Sequence, residues 1–451
     1  MIRSYLEDRT LLVGESQRSR SVTCGVPQGS VLGPALWNVF YDDLLEIDTP
    51  PGVQLVAFAD DVAVIGISRT GPSAADLLNP VLNTVANWTR DNGLQIAPQK
   101  SEAVVLTRKY RYDNPLLYVE DHAIPVKPAI RYLGIELDTR LSFTTHIATA
   151  SKKASDSAKA IGRLMPNVGG PAQAKRALLG SVTNSKLLYA CPTWATAGVK
   201  IAKNRQAMAR AQRTTALRTI RSCRTVSAEA SSVLASMIPA NLLAHERARV
   251  KTRRDDGEPG TSTAVIRAEE RTISIRAWQA RWDRTATTPD AVGRKWTHRL
   301  IPNLARWLAK PTLVMTHHLT QAISGHGCFR SYLSKRNRAE DSYCSYCMDP
   351  DDTAEHTVFA CPRWLDDRAR LTDILRRPPN AGDVEDILCG PSPADLPDDS
   401  ASRKRLMSQA KTNRHELVKM IDSIMATKED DEREDQAHHR AAANRRVAHL
   451  V

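Results

Sequence analysis

Val53-Gln54-Leu55-Val56-Ala57-Phe58-Ala59-Asp60-Asp61-Val62-Ala63-Val64-Ile65-Gly66-Ile67 sets two β-rich apolar arms on either side of a pair of adjacent carboxylates. Short apolar runs around a turn read as a hairpin, which puts Asp60 and Asp61 at its tip. Two carboxylates held this close repel each other and favour a divalent cation. Mg2+ is a hard ion that takes carboxylate oxygens, and a pair of such ions clamps the attacking and leaving oxygens in phosphoryl transfer. Successive strand residues point to opposite faces, so one carboxylate would ligate directly and the other through the bend of the turn. Asp-Asp is equally an ordinary turn pair; its surroundings decide between the two.

Outward from the hairpin, the first 145 residues mix strand and helix patterns. Pro34 suits a helix's first turn, followed by Leu36, Phe40 and Leu44 as an apolar face. Leu77, Leu78, Val81, Val85 and Trp88 predict a helix over 73–92, stopped by Gly93, and Ser101–Thr107 predicts a strand. This is α+β organisation. From His146 the pattern turns helical, with a break at Gly169-Gly170-Pro171 and a second helix whose apolar members are Leu178, Leu179, Val182 and Leu187. Residues 251–263 lack large apolar side chains and predict an exposed loop. Residues 366–400 are rich in Pro and Asp, an amphipathic helix is expected over 403–426 through Leu417, Ile421 and Ile424, and the charged stretch Lys428–Arg446 is expected to be disordered.

Pro27-Gln28-Gly29-Ser30 precedes the hairpin, inside the longer string from Gly25 to Pro34. Its glycines allow close backbone approach, and Gln28 offers both a donor and an acceptor. Gly93-Leu94-Gln95-Ile96 leads on to Lys100, and Tyr132-Leu133-Gly134 follows. These four segments, in this order and at this spacing, resemble successive palm motifs of reverse transcriptases. The resemblance implies that Asp60 ligates catalytic Mg2+ with Asp61 as its neighbouring carboxylate, and that Gln28 and Gly29 line the pocket for template base and incoming nucleotide. Tyr132, Leu133 and Gly134 would form a primer grip. Lys100 would lie near the triphosphate as a proton donor to pyrophosphate, or is a surface lysine before a strand. The family's first palm motif supplies a further metal-binding Asp upstream of the Pro-Gln-Gly loop. The 24 residues before Gly25 hold only Glu7, Asp8 and Glu15, none after an apolar strand. The expectation is therefore a partial sequence whose catalytic metal site is incomplete and which is inactive by itself.

The formal charge is +13, and it is unevenly spread. Residues 146–340 carry 34 basic and 11 acidic side chains, against 13 and 17 in 1–145 and 16 and 22 in 341–451. A block of net +23 faces either a polyanion, most commonly nucleic acid, or solvent. By the resemblance, 1–145 is a partial palm, 146–250 a basic helical thumb holding the duplex, and 251–340 a basic connector. The longest apolar run, Val62–Ile67, is far short of the ~18 residues of a membrane span, and no signal-peptide pattern opens the chain. A soluble intracellular protein is the default.

Five of the eight cysteines are scattered, while Cys344, Cys347 and Cys361 gather around His356. Four such ligands within 18 residues predict a tetrahedral Zn2+ knuckle over 341–370. With only Phe359 and Trp364 as bulky apolar neighbours, the metal would provide most of the local folding free energy. Tyr343, Tyr346, Phe359 and Trp364 would either stack nucleic-acid bases, with Arg363 nearby, or form a mini-core around the metal. A similar Cys-Cys-His-Cys knuckle follows the polymerase in type-1 non-LTR (LINE-like) element polyproteins, which points to that class. The class implies an element RNA template, a target DNA primer, dNTPs, nuclear action at a chromosomal target after cytoplasmic synthesis, and an endonuclease elsewhere in the polyprotein. Pro397-Asp398, Glu416 and Lys419 depart from the spacing of a C-terminal nuclease. The competing class is a catalytically inert nucleic-acid-binding remnant that uses the basic helices and the knuckle. Residues 371–451 are expected as an acidic, Pro-rich segment, an amphipathic helix and a tail.

Overall fold

The computed structural model describes residues 2–13, 18–257, 261–287, 292–310 and 313–448. The chain divides into two compact units, Met1–Arg140 and Leu141–Val451.

The first unit runs α1 (Ile2–Leu6), β1 (Thr10–Val13), β2 (Arg18–Ser21), α2 (Gly33–Leu45), β3 (Val53–Phe58), β4 (Asp61–Gly66), α3 (Gly71–Asp91), β5 (Leu117–Val119), β6 (His122–Ile124), β7 (Ala129–Tyr132) and β8 (Ile135–Asp138). Its strands pair as antiparallel hairpins, each with its sequence neighbour. In β3–β4 the register sets Leu55 opposite Val64 and Ala57 opposite Val62. That face packs on α2 and α3 through Tyr41, Leu44, Leu78, Val81, Val85 and Trp88. The predicted hairpin and the helix over 73–92 are therefore present. On α2 the inward residues are Trp37, Tyr41 and Leu44 rather than Leu36, Phe40 and Leu44, because Trp37 turns to the hairpin tip. The strand expected over Ser101–Thr107 is reduced to one bridge, Ala103 to Val126. Its partner segment contains Pro125 and Pro128, which cannot donate to a ladder.

The second unit is helical: α4 (Thr144–Gly162), α5 (Gln173–Leu187), α6 (Cys191–Gly198), α7 (Ala202–Thr219), α8 (Ala228–Leu234), α9 (Ala240–Asp255), α10 (Thr263–Thr287), α11 (Val292–Leu300), α12 (Leu304–Ala309), α13 (His317–Ser324), α14 (Arg330–Ser334), α15 (Leu365–Leu375), α16 (Asp383–Cys389) and α17 (Ser400–Ala448). The regions expected at 251–340, 341–370 and 371–451 share one hydrophobic cluster with residues of 217–238; its buried members include Trp278, Trp282, Trp307, Cys344, Cys361, Trp364, Leu417, Ile421 and Met425. The Pro- and Asp-rich stretch holds α15 and α16, and the loop expected at 251–263 is shortened at both ends by α9 and α10.

Two expectations change in the second unit. Helix α5 turns Arg176, Gly180, Thr183 and Leu187 inward and leaves Leu178 and Val182 exposed. Gly180 lets α7 approach so closely that a Cβ there would meet Thr215 Cγ2 at 3.1 Å, and Thr215 hydrogen-bonds Thr183 at 2.8 Å. Close approach outweighs the apolar residues next along the helix. The second change is the charged tail, which continues α17 as helix through Ala448. It is anchored at its start, where Lys428 is 3% exposed and paired with Asp352.

Candidate active site and metal centre

At the tip of β3–β4, Ala59 and Asp60 form a two-residue loop and Asp61 opens β4 opposite Phe58. Ala59 takes φ 53°, a left-handed value that costs an L-residue about 1–2 kcal/mol. The tip is held from below: the Trp37 indole N–H donates to the Ala59 carbonyl at 3.0 Å, and Trp37 stacks on Tyr41 with centroids 4.9 Å apart. Asp60 and Asp61 are both exposed. Burial, and after it the charges of Asp60 and then Asp61, push the Tyr41 phenol above its ordinary pKa. Both carboxylates thus act on one group beneath the tip, although they differ in strand register. Among the described residues no third Cys, His, Asp or Glu joins them in a metal-binding group.

The other residues singled out in this unit lie on separate turns. Gln28 and Gly29 occupy a turn closed by the Ser30 N–H to the Pro27 carbonyl at 3.1 Å. Gly29 has φ 84°, and Ser30 Oγ accepts from the Gly33 N–H at the start of α2 at 3.0 Å. Lys100 is exposed at the end of a 3-10 turn, Pro98–Lys100, and not before a strand. Leu133 and Gly134, with φ 45° and 80°, form the two-residue loop between β7 and β8, and Tyr132 pairs with Ile135 across it. Positive φ at both loop residues is the twist-matched hairpin turn.

The second unit gathers Cys344, Cys347, His356 and Cys361, whose ligand atoms all lie within 4.8 Å of one another. Cys344 Sγ is 3.8 Å from Cys361 Sγ, Cys361 Sγ is 3.9 Å from Cys347 Sγ, and Cys347 Sγ is 3.3 Å from His356 Nε2. The turn carrying the first two cysteines is closed by the Met348 N–H to the Cys344 carbonyl at 2.8 Å. His356 Nδ1 faces Asp349 Oδ2 at 3.4 Å, which aims Nε2 at the thiols; ligating histidines commonly have such a carboxylate behind them. Burial foremost pushes the Cys361 thiol up to about 12.

The knuckle is not a mini-domain with its own small core. Trp364 is buried, Phe359 and Tyr346 pack on the shared cluster, and the Tyr346 hydroxyl donates to Asp431 of α17 at 2.6 Å. Of the four aromatics considered for stacking, Tyr343 is the exposed one.

Sequence reasoning missed Asp352 and Lys428. Asp352 is fully buried; it accepts from the Arg330 N–H and the Thr357 hydroxyl, both at 2.8 Å, and pairs with Lys428 at 2.8 Å. It therefore joins α14, the knuckle and α17. Lys428 reads as the first charge of a polar tail, and no local signal marks it as buried. Several cations of the basic block are also satisfied within the unit, and Arg176 among them is fully buried. Arg176 donates to the carbonyls of Pro171, Arg218, Pro166 and Gly169, and Arg213 to that of Val226. Glu270 holds Arg249 and Arg253, Glu246 holds Arg271, and Glu229 holds Arg281.

Residues 1–137 match the family model described as reverse transcriptase (RNA-dependent DNA polymerase). The chain is 28% identical over 359 residues to a 115 kDa protein in type-1 retrotransposable element R1DM of Drosophila melanogaster, covering 76% of this chain and 34% of that protein. It is 27% identical to a retrovirus-related Pol polyprotein from type-1 retrotransposable element R1 2 of Nasonia vitripennis, over 75% of this chain and 85% of that one. Over 156 residues it is 32% identical to the RNA-directed DNA polymerase from mobile element jockey of Drosophila melanogaster, covering 33% of this chain and 17% of the relative. The chain thus spans about a third of the length of the R1DM protein. No solved structure matches it. Residues 1–137, which include Asp60 and Asp61, are thus a reverse transcriptase region, and the chain is similar over three quarters of its length to proteins of type-1 retrotransposable elements.

Proposed function

We propose that this chain is the part of a non-LTR element's RNA-directed DNA polymerase that carries the Asp60-Asp61 half of its metal site, and that by itself it binds primer–template without extending it. The observation carrying this reading is the hairpin tip: two exposed carboxylates on a loop fixed by Trp37, within the region matched to reverse transcriptases. Hard oxygen donors of this kind suit Mg2+, which when bound stabilises the charge that develops in phosphoryl transfer. Two carboxylates are a partial donor set for that role, hence the expected inertness. In this reading Gln28 and Gly29 line the nucleotide pocket, Lys100 faces the triphosphate, and Tyr132, Leu133 and Gly134 hold the primer end. The template is element RNA, the primer target DNA and the substrates dNTPs. The work is done in the nucleus, and the endonuclease belongs to the longer polyprotein. The helical unit, from its basic thumb onward, grips the duplex.

The Cys-Cys-His-Cys group fits Zn2+. Thiolates about 2.3 Å from a tetrahedral zinc lie about 3.8 Å apart, and the two S···S separations here are 3.8 and 3.9 Å. Its role in this reading is to fasten the knuckle into the helical unit.

The competing reading, an inert nucleic-acid-binding remnant, is favoured by the lack of a third donor beside Asp60 and Asp61 among the described residues. Two measurements separate the readings. Mn2+ added to the isotope-labelled chain should broaden NMR signals around Ala59–Val62, and Asp60→Asn/Asp61→Asn should abolish this. Broadening centred elsewhere removes the polymerase reading. Labelled dTTP should not be incorporated on poly(A)/oligo(dT) by the chain alone; incorporation lost in Asp60→Asn would refute both inertness and the remnant.

A further inference from the structure

We infer that the N-terminal arm of α17 is a docking surface for the sugar-phosphate backbone of duplex DNA. From Ser400 to His415 this helix carries Arg403, Lys404, Arg405, Lys411 and Arg414 and no acidic residue. Every side chain from Ser400 to Gln409 is exposed, and the helix enters the buried cluster only from Leu417 onward. At about 100° per residue, Lys404, Lys411 and His415 fall on one line, roughly opposite the buried Leu417 and Ile424. At about 1.5 Å of rise per residue, Lys404 and Lys411 are roughly 10 Å apart. Arg405 flanks the line.

The basic residues of the arm differ in their partners from several in the preceding helices. Arg176, Arg213, Arg249, Arg271 and Arg281 are spent on carbonyls and glutamates. On the arm, Arg403 and Arg414 each give one N–H to a carbonyl, of Pro397 and Leu388 respectively. Among the described residues Lys404, Arg405 and Lys411 have no ion-pair partner. The carboxylates nearest in sequence have other work or lie off the line. Asp399 caps the helix through the N–H groups of Ser402 and Ala401 at 2.6 and 3.4 Å, Asp398 precedes it, and Glu416 sits where the helix begins to be buried. The acidic stretch Glu429–Asp435 lies well over ten residues further along the same helix, where Glu429 and Asp431 bond His318 and Tyr346. A helix dipole favours cations at the opposite end, so these positions gain nothing from it.

A row of solvent-facing cations without partners complements a polyanion. The arm from 400 to 416 contains no Phe, Tyr or Trp. Single-strand platforms rely on such rings to stack bases, whereas a duplex keeps its bases inside and presents phosphates. The choice of DNA over RNA rests on the polymerase family, whose product is DNA; the surface itself needs neither dNTP nor a cation at Asp60.

The test is binding of the full chain to a 20-base-pair DNA duplex across a salt series. Lys404→Gln/Arg405→Gln/Lys411→Gln should reduce the slope of log K against log [salt] by about 2.7, at about 0.9 per lost phosphate contact. The Lys404→Arg/Arg405→Lys/Lys411→Arg variant should keep the slope. Circular dichroism and the melting midpoint should be unchanged in both, because no buried contact is touched. An unchanged slope in the triple Gln variant overturns the proposal, as does loss of slope in the charge-retaining variant. An equal loss on single-stranded DNA of the same length overturns the duplex assignment.

Discussion

The two units handle charge in opposite ways. In residues 1–140 the residues proposed for chemistry, Asp60, Asp61, Gln28 and Lys100, are exposed on turns, and the clusters around Tyr41 and Leu78 underlie the β3–β4 hairpin. In residues 141–451 the polar groups that matter for the fold are inside: Arg176 against carbonyls, Asp352 against Lys428, and three thiols with a histidine. Buried polar groups are costly unless satisfied, and once satisfied they lock the packing around them. The comparison therefore predicts large losses of stability from single changes in the second unit and small ones at the tip of the first.

The largest effect should follow loss of the Zn2+ proposed for the Cys-Cys-His-Cys group, by chelation or by Cys344→Ala. Structural zinc contributes on the order of 10 kcal/mol in small domains. Because Cys344, Cys361 and Trp364 belong to the same cluster as Trp278, Trp307 and Ile421, the whole cluster should loosen. Hydrogen exchange followed by mass spectrometry should show protection falling together across 217–425. A loss confined to 341–370 would restore the self-contained knuckle expected from the sequence and break the comparison.

Next in size is Lys428→Met. Removing one partner of a buried pair typically costs about 3–5 kcal/mol, and Asp352 would keep the Arg330 N–H and the Thr357 hydroxyl but lose its countercharge. Urea unfolding should show the drop, and adding Asp352→Asn should recover part of it. A cost below about 1 kcal/mol, the range of a surface pair, would mean that α17 is not clamped to the knuckle.

What was legible in the sequence follows the same division. The hairpin, its acidic tip, α3 and the gathering of three cysteines around His356 were readable because each rests on local pattern: strand alternation, a turn, an apolar helical stripe, cysteine spacing. The inward face of α5 was not, since Gly180 and Thr183 gain their meaning only from α7. Lys428 was misread for the same reason, because its partner lies 76 positions upstream in the Asp352 loop. The bridge at Ala103 replaced a strand because prolines stand in the partner segment, which the strand's own residues do not reveal. The roles of Gln28, Lys100 and Tyr132 came from motif resemblance, and the structure adds their turns but no shared contact.

The smallest effect should come from the tip of the first unit, where it also reports on the site. Trp37→Phe keeps a ring against Tyr41 and deletes the hydrogen bond to the Ala59 carbonyl, a loss of about 1 kcal/mol. Ala59→Gly acts in the opposite direction: at φ 53° it removes the strain of a Cβ, and glycine adopts such values freely. In the isolated stability measurement the two changes should therefore nearly cancel when combined. For the carboxylates they should not cancel, because both changes loosen the loop that holds Asp60 beside Asp61. The double variant should bind Mn2+ more weakly than either single one while melting near the wild-type temperature. If Mn2+ affinity instead tracks the melting temperature, Trp37 serves only to stabilise the unit, and the tip is not the fixed platform that the comparison requires.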